Sequence, residues 1–239
     1  GRKSDKFGVS IKIAKSLIKK CNDSSSLNLV GLTCHIGSQI TELDSFEDAA
    51  KQALDLLIEL DKMNIKIDFI DMGGGLGVNY VDEETPEPFE LIQSYENIFE
   101  GRNETLILEP GRSISANAGI MLAKVEYIKN NFIITNAAMN DLLRPALYDA
   151  HHDIWPVVKN DNPVSNVNVV GPICETGDFL VKDINIAASE NDLLAVKTVG
   201  AYGSVMSSNY NSRPRAAEVL VDKKNFYLIR KREDNSSLT

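Results

Sequence analysis

Three short apolar runs punctuate the first half of the chain, and each closes on a polar or glycine-rich segment. Residues 27–32 lead into Cys34-His35-Ile36-Gly37-Ser38. Residues 65–70 lead into Asp71-Met72-Gly73-Gly74-Gly75-Leu76-Gly77, and residues 105–108 into Glu109-Pro110-Gly111-Arg112. Mostly apolar runs of this length read as strands buried on both faces. After the first, Asp44 or Ser45 can cap a helix whose Phe46, Ala50, Ala53, Leu54 and Leu57 recur at helical spacing. Pro86-Glu87-Pro88 breaks the chain before a second helix over 89–99. Strand, helix, strand, helix, strand is the grammar of a parallel α/β sheet, either a closed barrel or open. In such sheets the C-terminal strand ends form the site face, so the three motifs are expected to converge.

The period changes near Ala118. Residues 121–127 and 132–135 read as strands joined by an Asn130-Asn131 turn. Residues 167–170, 193–199, 218–221 and 226–229 continue the series, with Asp222-Lys223-Lys224-Asn225 as a hairpin loop. The expected organisation is an α/β part over 1–117 and a β-rich domain over 118–239, with a tail from Arg230 that is frayed or a short terminal element. The 239 residues are 43% apolar and 25% charged, enough for a sizeable core and unlike a disordered chain. A net charge of −9 gives no long-range attraction to a nucleic-acid backbone or an anionic membrane. No apolar run approaches the ~18 residues of a membrane span. Cys21, Cys34 and Cys174 are an odd set without a C-x-x-C spacing, which fits a reducing, cytoplasmic setting. The chain opens on Gly1 rather than Met and carries no signal peptide, so it reads as beginning in the middle of something.

Several residues invite chemistry, each with a plainer alternative. Glycines at 73, 74, 75 and 77 let backbone N–H groups converge on a phosphate, or simply make a tight turn. The spacing is neither a dinucleotide fingerprint nor a Walker A loop. His35, at a strand end, can stack on a ring, ligate metal, act as a base or be structural. His151 and His152 are adjacent and point to opposite faces, which argues against a shared metal. Arg112 and Arg144 can each clamp an anion or lie on the surface. Cys174-Glu175 sits in the turn-rich Gly171-Pro172-Ile173-Cys174-Glu175-Thr176-Gly177-Asp178, where the thiol is either reactive or a small hydrophobe. Gly200-Ala201-Tyr202-Gly203 holds a phenol between glycines, suited to a phosphate or ring contact.

Taken together, ordered blocks over nearly the whole chain resemble the diaminopimelate decarboxylases, fold-type III pyridoxal-phosphate enzymes of the alanine racemase and ornithine/arginine decarboxylase superfamily. The blocks are Lys6-Phe7-Gly8, His35 to Gln39, Asp71 to Gly75, Glu109 to Arg112, Met139-Asn140-Asp141, Arg144 to Tyr148, Gly171 to Asp178, Gly200 to Gly203 and Ser207 to Arg215. The resemblance implies part of a (β/α)8 barrel followed by an all-β C-terminal domain. It implies pyridoxal 5'-phosphate held by His35, Ser38, Gly73, Gly74, Gly75, Glu109, Gly111, Arg112 and Tyr202. His35 would stack on the ring and Glu109 pair with the pyridine nitrogen. Cys174 would be the proton donor and, with Glu109 and His35, form the catalytic set. Arg112, Arg144, Tyr148, Glu175 and Tyr202 would bind substrate, Glu175 at its distal end. No metal is implied.

The activity so implied is conversion of meso-2,6-diaminopimelate to L-lysine and carbon dioxide. Decarboxylases of ornithine, arginine or carboxynorspermidine, and a catalytically dead binding homologue, are the alternatives. The resemblance also implies a homodimer whose Cys174-Glu175 loop crosses to the partner's barrel. None of the lysines matches the family's Schiff-base lysine, so an N-terminal segment carrying it is expected to be missing here, and this chain alone is expected to be inactive. Asn136 stands where many relatives have Asp.

Overall fold

The computed structural model describes residues 6–159, 161 and 163–238. The chain divides into two compact units, Gly1–Asn79 with Glu83–Ser113, and Tyr80–Asp82 with Ile114–Thr239.

The first unit is α/β: α1 (Ile11–Asn22), β1 (Gly31–Thr33), α2 (Asp44–Lys62), β2 (Phe69–Asp71), α3 (Pro88–Ile98) and β3 (Thr105–Ile107), before the single turn α4 (Arg112–Ser115). β1, β2 and β3 form one parallel sheet in that order, with Thr33 opposite Asp71 and Asp71 opposite Ile107. Gly31 leaves room in β1 for the Phe69 ring, which would have to turn aside for a Cβ 2.4 Å away. The stripe on α2 turns inward as its spacing requires: Phe46, Ala50, Leu57 and Leu60 are buried. α3 begins with a capping box, in which the Glu87 N–H donates to the Glu90 carboxylate at 2.8 Å and Pro88 occupies the first turn.

The strands are shorter than the apolar runs. Leu29, Ile65 and Ile67 pack with Ile18, Leu57 and Leu60 in a satellite core. They are apolar because they are covered, not because they belong to the ladder.

The second unit is built on a six-stranded sheet, in the order β6-β9-β4-β5-β7-β8, from β4 (Met121–Lys129), β5 (Phe132–Thr135), β6 (Ile154–Pro156), β7 (Ser165–Val170), β8 (Phe179–Ile186) and β9 (Leu193–Val196). A separate hairpin joins β10 (Glu218–Asp222) to β11 (Asn225–Arg230), and α5 (Arg144–Tyr148) is one helical turn. Val125, Val169, Leu180, Leu194 and Val196 are fully buried at its core. Two strands escape the sequence reading. β6 contains Trp155-Pro156, which reads as a turn; it is an edge strand, where a residue without an N–H is tolerated. In β8 the alternation breaks at Lys182-Asp183, with Asp183 at φ 55°.

The tail is tied down. Glu233 accepts hydrogen bonds from the Arg215 N–H at 2.9 Å, the Arg215 guanidinium at 2.7 Å and the Asn209 amide at 2.6 Å. Chiefly through the Arg215 side-chain bond, its pKa falls to about 2. A carboxylate depressed on folding contributes stability that is full above its unfolded pKa, near ~4.3, and is lost as pH falls through the folded value. A carboxylate NMR titration of the intact protein should place the Glu233 midpoint near 2. In Arg215→Met the midpoint should return to the ordinary glutamate range.

Candidate functional site

The C-terminal ends of β1, β2 and β3 lie side by side, and backbone hydrogen bonds carry the ladder beyond the strands. The Cys34 N–H donates to the Asp71 carbonyl at 2.7 Å, Met72 to Ile107 at 3.0 Å and Glu109 to Gly73 at 2.8 Å. His35, the glycine run and Glu109 are thereby brought together, as the strand-end argument expects. Burial raises the Cys34 thiol pKa, and this partly buried side chain packs against the core around Phe46 and Tyr95.

The glycine run is a structured cradle. Gly73 and Gly75 have φ of 67° and 108°. A Cβ on Gly74 would lie 2.3 Å from the Glu109 carbonyl oxygen, and one on Gly75 2.4 Å from that of Gly37. The Gly73 N–H donates to the buried Asp71 carboxylate at 2.8 Å, and the Gly74 N–H to His35 Nδ1 at 3.3 Å. Both amides are engaged inside the loop, and the Gly74 bond fixes the orientation of the exposed imidazole. Arg112 donates to the Ser38 hydroxyl at 3.0 Å, which joins two of the expected cofactor contacts. A flat imidazole, an exposed carboxylate on Glu109, a glycine turn and a guanidinium form a donor set that fits a phosphorylated, protonated aromatic ring. Gly111, beside Arg112, has open space where a Cβ would stand.

In the second unit, the Cys174-Glu175 loop joins β7 to β8. Asp178, almost wholly buried, staples it: its carboxylate accepts from the Met139 N–H at 2.7 Å and the Ile173 N–H at 2.8 Å. The Asp178 backbone closes the turn, donating to the Glu175 carbonyl at 3.1 Å and accepting from the Gly171 N–H at 3.1 Å. Burial raises the Asp178 pKa while the two backbone donors pull it down. Cys174 and Glu175 are left exposed at the tip. The Tyr210 hydroxyl donates to Glu175 Oε1, and that bond raises the tyrosine pKa.

Tyr202 is exposed at φ 60° in a turn that requires Gly200, where a Cβ would lie 1.9 Å from the Ser115 carbonyl oxygen. On α5, Arg144 is buried while Tyr148 is exposed. Asn136 is held structurally, with its Oδ1 accepting from the Lys124 N–H at 2.8 Å.

Sequence reasoning gave no role to Tyr210, Asp178 or His152. Tyr210 and Asp178 lie in the resembling blocks, and that was their only signal. The His pair does divide by exposure, with His151 exposed and His152 fully buried. Among the described residues no group of three or more His, Cys, Asp or Glu is placed to hold a metal.

Residues 1–116 match the pyridoxal binding domain of the pyridoxal-dependent decarboxylases, and residues 67–200 match their C-terminal sheet domain. The chain belongs to the pyridoxal-dependent decarboxylase family. Its architecture is accordingly α/β, part of the family's pyridoxal-phosphate barrel followed by its sheet domain, and pyridoxal phosphate is the cofactor. The chain is similar to the diaminopimelate decarboxylase of Pseudomonas aeruginosa, 49% identical over 237 residues that cover 98% of this chain and 57% of that protein. The Vibrio cholerae diaminopimelate decarboxylase is 46% identical over 243 residues, 100% of this chain and 58% of the relative. The crystal structure of the Helicobacter pylori diaminopimelate decarboxylase complexed with L-lysine matches with a TM-score of 0.94 and 40% identity, over 100% of this chain and 60% of that one. The chain thus spans less than two thirds of the length of these pyridoxal-dependent decarboxylases.

Two consequences can be measured on the intact protein. Asp178→Asn keeps one acceptor for two backbone donors, and should cost roughly 1–3 kcal/mol in urea denaturation. Hydrogen exchange over residues 172–177 should quicken at the same time. Gly75→Ala forces a side chain into a left-handed conformation that costs roughly 1–2 kcal/mol. Titration with pyridoxal phosphate should show affinity lowered about tenfold or more.

Proposed function

We propose that the protein to which this chain belongs converts meso-2,6-diaminopimelate to L-lysine and carbon dioxide. The observation that carries this reading is the acidic Glu175 next to Cys174, on a loop stapled by Asp178 and with its carboxylate held by Tyr210. The distal end of diaminopimelate is itself an amino-acid group, both ammonium and carboxylate. An acid meets the ammonium, while Arg144 and Tyr148 meet the carboxylate. A diamine precursor such as ornithine lacks that carboxylate and needs only the acid. Relatives 43–49% identical to this chain that are diaminopimelate decarboxylases support the same choice.

Pyridoxal phosphate, when bound, supplies an electron sink for the pair left behind as the α-carboxylate departs. The Gly73–Gly75 turn and Arg112 bind its phosphate, with Ser38, Gly111 and Tyr202 contributing contacts. His35, oriented by the Gly74 amide, presents its flat face to the ring. Glu109 holds the proton on the pyridine nitrogen. Arg112 also binds substrate. Cys174 Sγ delivers one proton to the substrate Cα, replacing the lost carboxylate.

In this reading the enzyme is a cytoplasmic homodimer. The Cys174-Glu175 loop serves the partner's site, and a lysine outside this sequence anchors the cofactor. The three cysteines, all free, suit that compartment, and no helix among the described residues is long and apolar enough to cross a membrane.

A charge-assisted hydrogen bond is worth roughly 1.5–3 kcal/mol. Glu175→Gln should therefore lower kcat/KM for meso-diaminopimelate by about 10- to 150-fold and relax the preference over the other stereoisomers. The absorbance of bound cofactor should not change. Cys174→Ala should lose kcat while still binding substrate. Faster turnover of ornithine than of diaminopimelate by the unaltered enzyme would overturn the assignment.

A further inference from the structure

His152 lies outside the residues given a catalytic or binding role above, and it is fully buried in the second unit. Its Nε2 is 2.7 Å from an Arg144 guanidinium nitrogen, and its Nδ1 is 2.9 Å from the Lys197 carbonyl oxygen. The chemistry of the two partners settles the protonation state. A guanidinium can only donate and a carbonyl can only accept. His152 is therefore the neutral tautomer, with its proton on Nδ1 and the Nε2 lone pair aimed at Arg144. A second proton on Nε2 would face an N–H directly.

The acceptor is anchored to the sheet. Lys197 directly follows β9, and its N–H donates to the Asp153 carbonyl at 2.9 Å. β6, immediately after Asp153, pairs with β9 with Ile154 opposite Val196. Tyr80 completes the mount. Its ring lies 4.5 Å from the Arg144 guanidinium carbon and meets the His152 ring edge-on, with centroids 5.1 Å apart. A carboxylate in the place of His152 would hold the guanidinium more strongly but would add a negative charge beside it. A neutral imidazole fixes the direction of one N–H and adds none.

We propose that His152 is a positioning residue for Arg144, a neutral acceptor hung on the Lys197 carbonyl that aims the guanidinium at the carboxylate of the substrate's distal end. This rests on the reading of Arg144 as a substrate-binding group. A small misplacement of a positioned group costs up to about 100-fold.

The test uses the intact, cofactor-loaded enzyme and compares His152→Gln with His152→Asn. Gln places an acceptor near the Nε2 position but gives up the bond to Lys197; Asn reaches Lys197 but not Arg144. His152→Asn should raise KM for meso-diaminopimelate roughly 10- to 100-fold with little change in kcat, and should weaken inhibition by L-lysine in parallel. Inhibition by 1,5-diaminopentane, which has no carboxylate, should hold. His152→Gln should restore KM to within a few-fold of the unaltered enzyme. A merely structural histidine would make the two variants equal or would lower kcat and cofactor loading together, and either result overturns the proposal.

Arg144→Met separates the two layers. If it leaves KM unchanged, the substrate-binding reading of Arg144 fails and the proposal with it. If Arg144→Met raises KM while His152→Asn does not, the reading stands and the proposal alone fails. Nitrogen-15 NMR of the unaltered histidine-labelled protein gives a check that needs no variant to fold. It should show His152 with its proton on Nδ1, and a proton on Nε2 would overturn the proposal.

Discussion

The parallel register of β1, β2 and β3 is the constraint on which the candidate cofactor cradle depends. Each strand has only three ladder residues, so hydrogen bonding alone would hold it weakly. Packing of Ile70, Met72 and Leu76 with Phe46 and Tyr95 holds the strands and the segment beyond β2 in place. The ladder then continues through Cys34, Met72 and Glu109, which sets His35 beside Gly73-Gly74 and those glycines beside Glu109. A slip of one residue would reverse every side chain along a strand and scatter that group. Gly74 matters for the same reason: with a side chain there, the Glu109 backbone could not approach.

The second unit solves a different problem, holding irregular backbone in place. Its loops carry N–H groups that no strand satisfies, and the buried Asp178 and the partly buried Asp141 accept them. Asp178 serves Met139 and Ile173, and Asp141 takes the Ala138 N–H at 3.0 Å. Burial pushes both carboxyl pKa values up, and the backbone donors oppose it. The arrangement ties the loop at its base while its exposed tip carries Cys174 and Glu175. Arg144 is handled differently, since the acceptor that His152 offers it is an imidazole that brings no charge.

Much of this was legible without coordinates. Apolar runs ending in polar motifs located the three strand ends, and the spacing of Phe46, Ala50 and Leu57 located the buried face of α2. Pro86-Glu87-Pro88 located the start of α3, and Asp222 to Asn225 the hairpin loop between β10 and β11. These signals are local: a strand or a helix writes its period into neighbouring residues. Strand lengths were overestimated because apolar residues outside the ladder are packed too: Ile65 and Ile67 are buried and Leu29 partly so, although Leu27 and Val30 of the first run are exposed. β6 and β8 were missed where an edge proline and a left-handed Asp183 interrupt the pattern.

The sequence by itself determined the α/β-then-β order, the glycine turn, and the residue types at each strand end and in the Cys174-Glu175 loop. Only the tertiary structure decided which of those groups hold one another. Tyr210 meets Glu175 across 35 residues, His152 joins Arg144 to the Lys197 carbonyl, and Asp178 reaches back 39 residues to Met139. None of these partners is related by a helical or strand period. The sheet order β6-β9-β4-β5-β7-β8 is itself non-sequential, so strands far apart in the chain become neighbours. Hydrogen-bond direction and protonation state are properties of the pair of groups that meet, and a linear chain does not specify the pair.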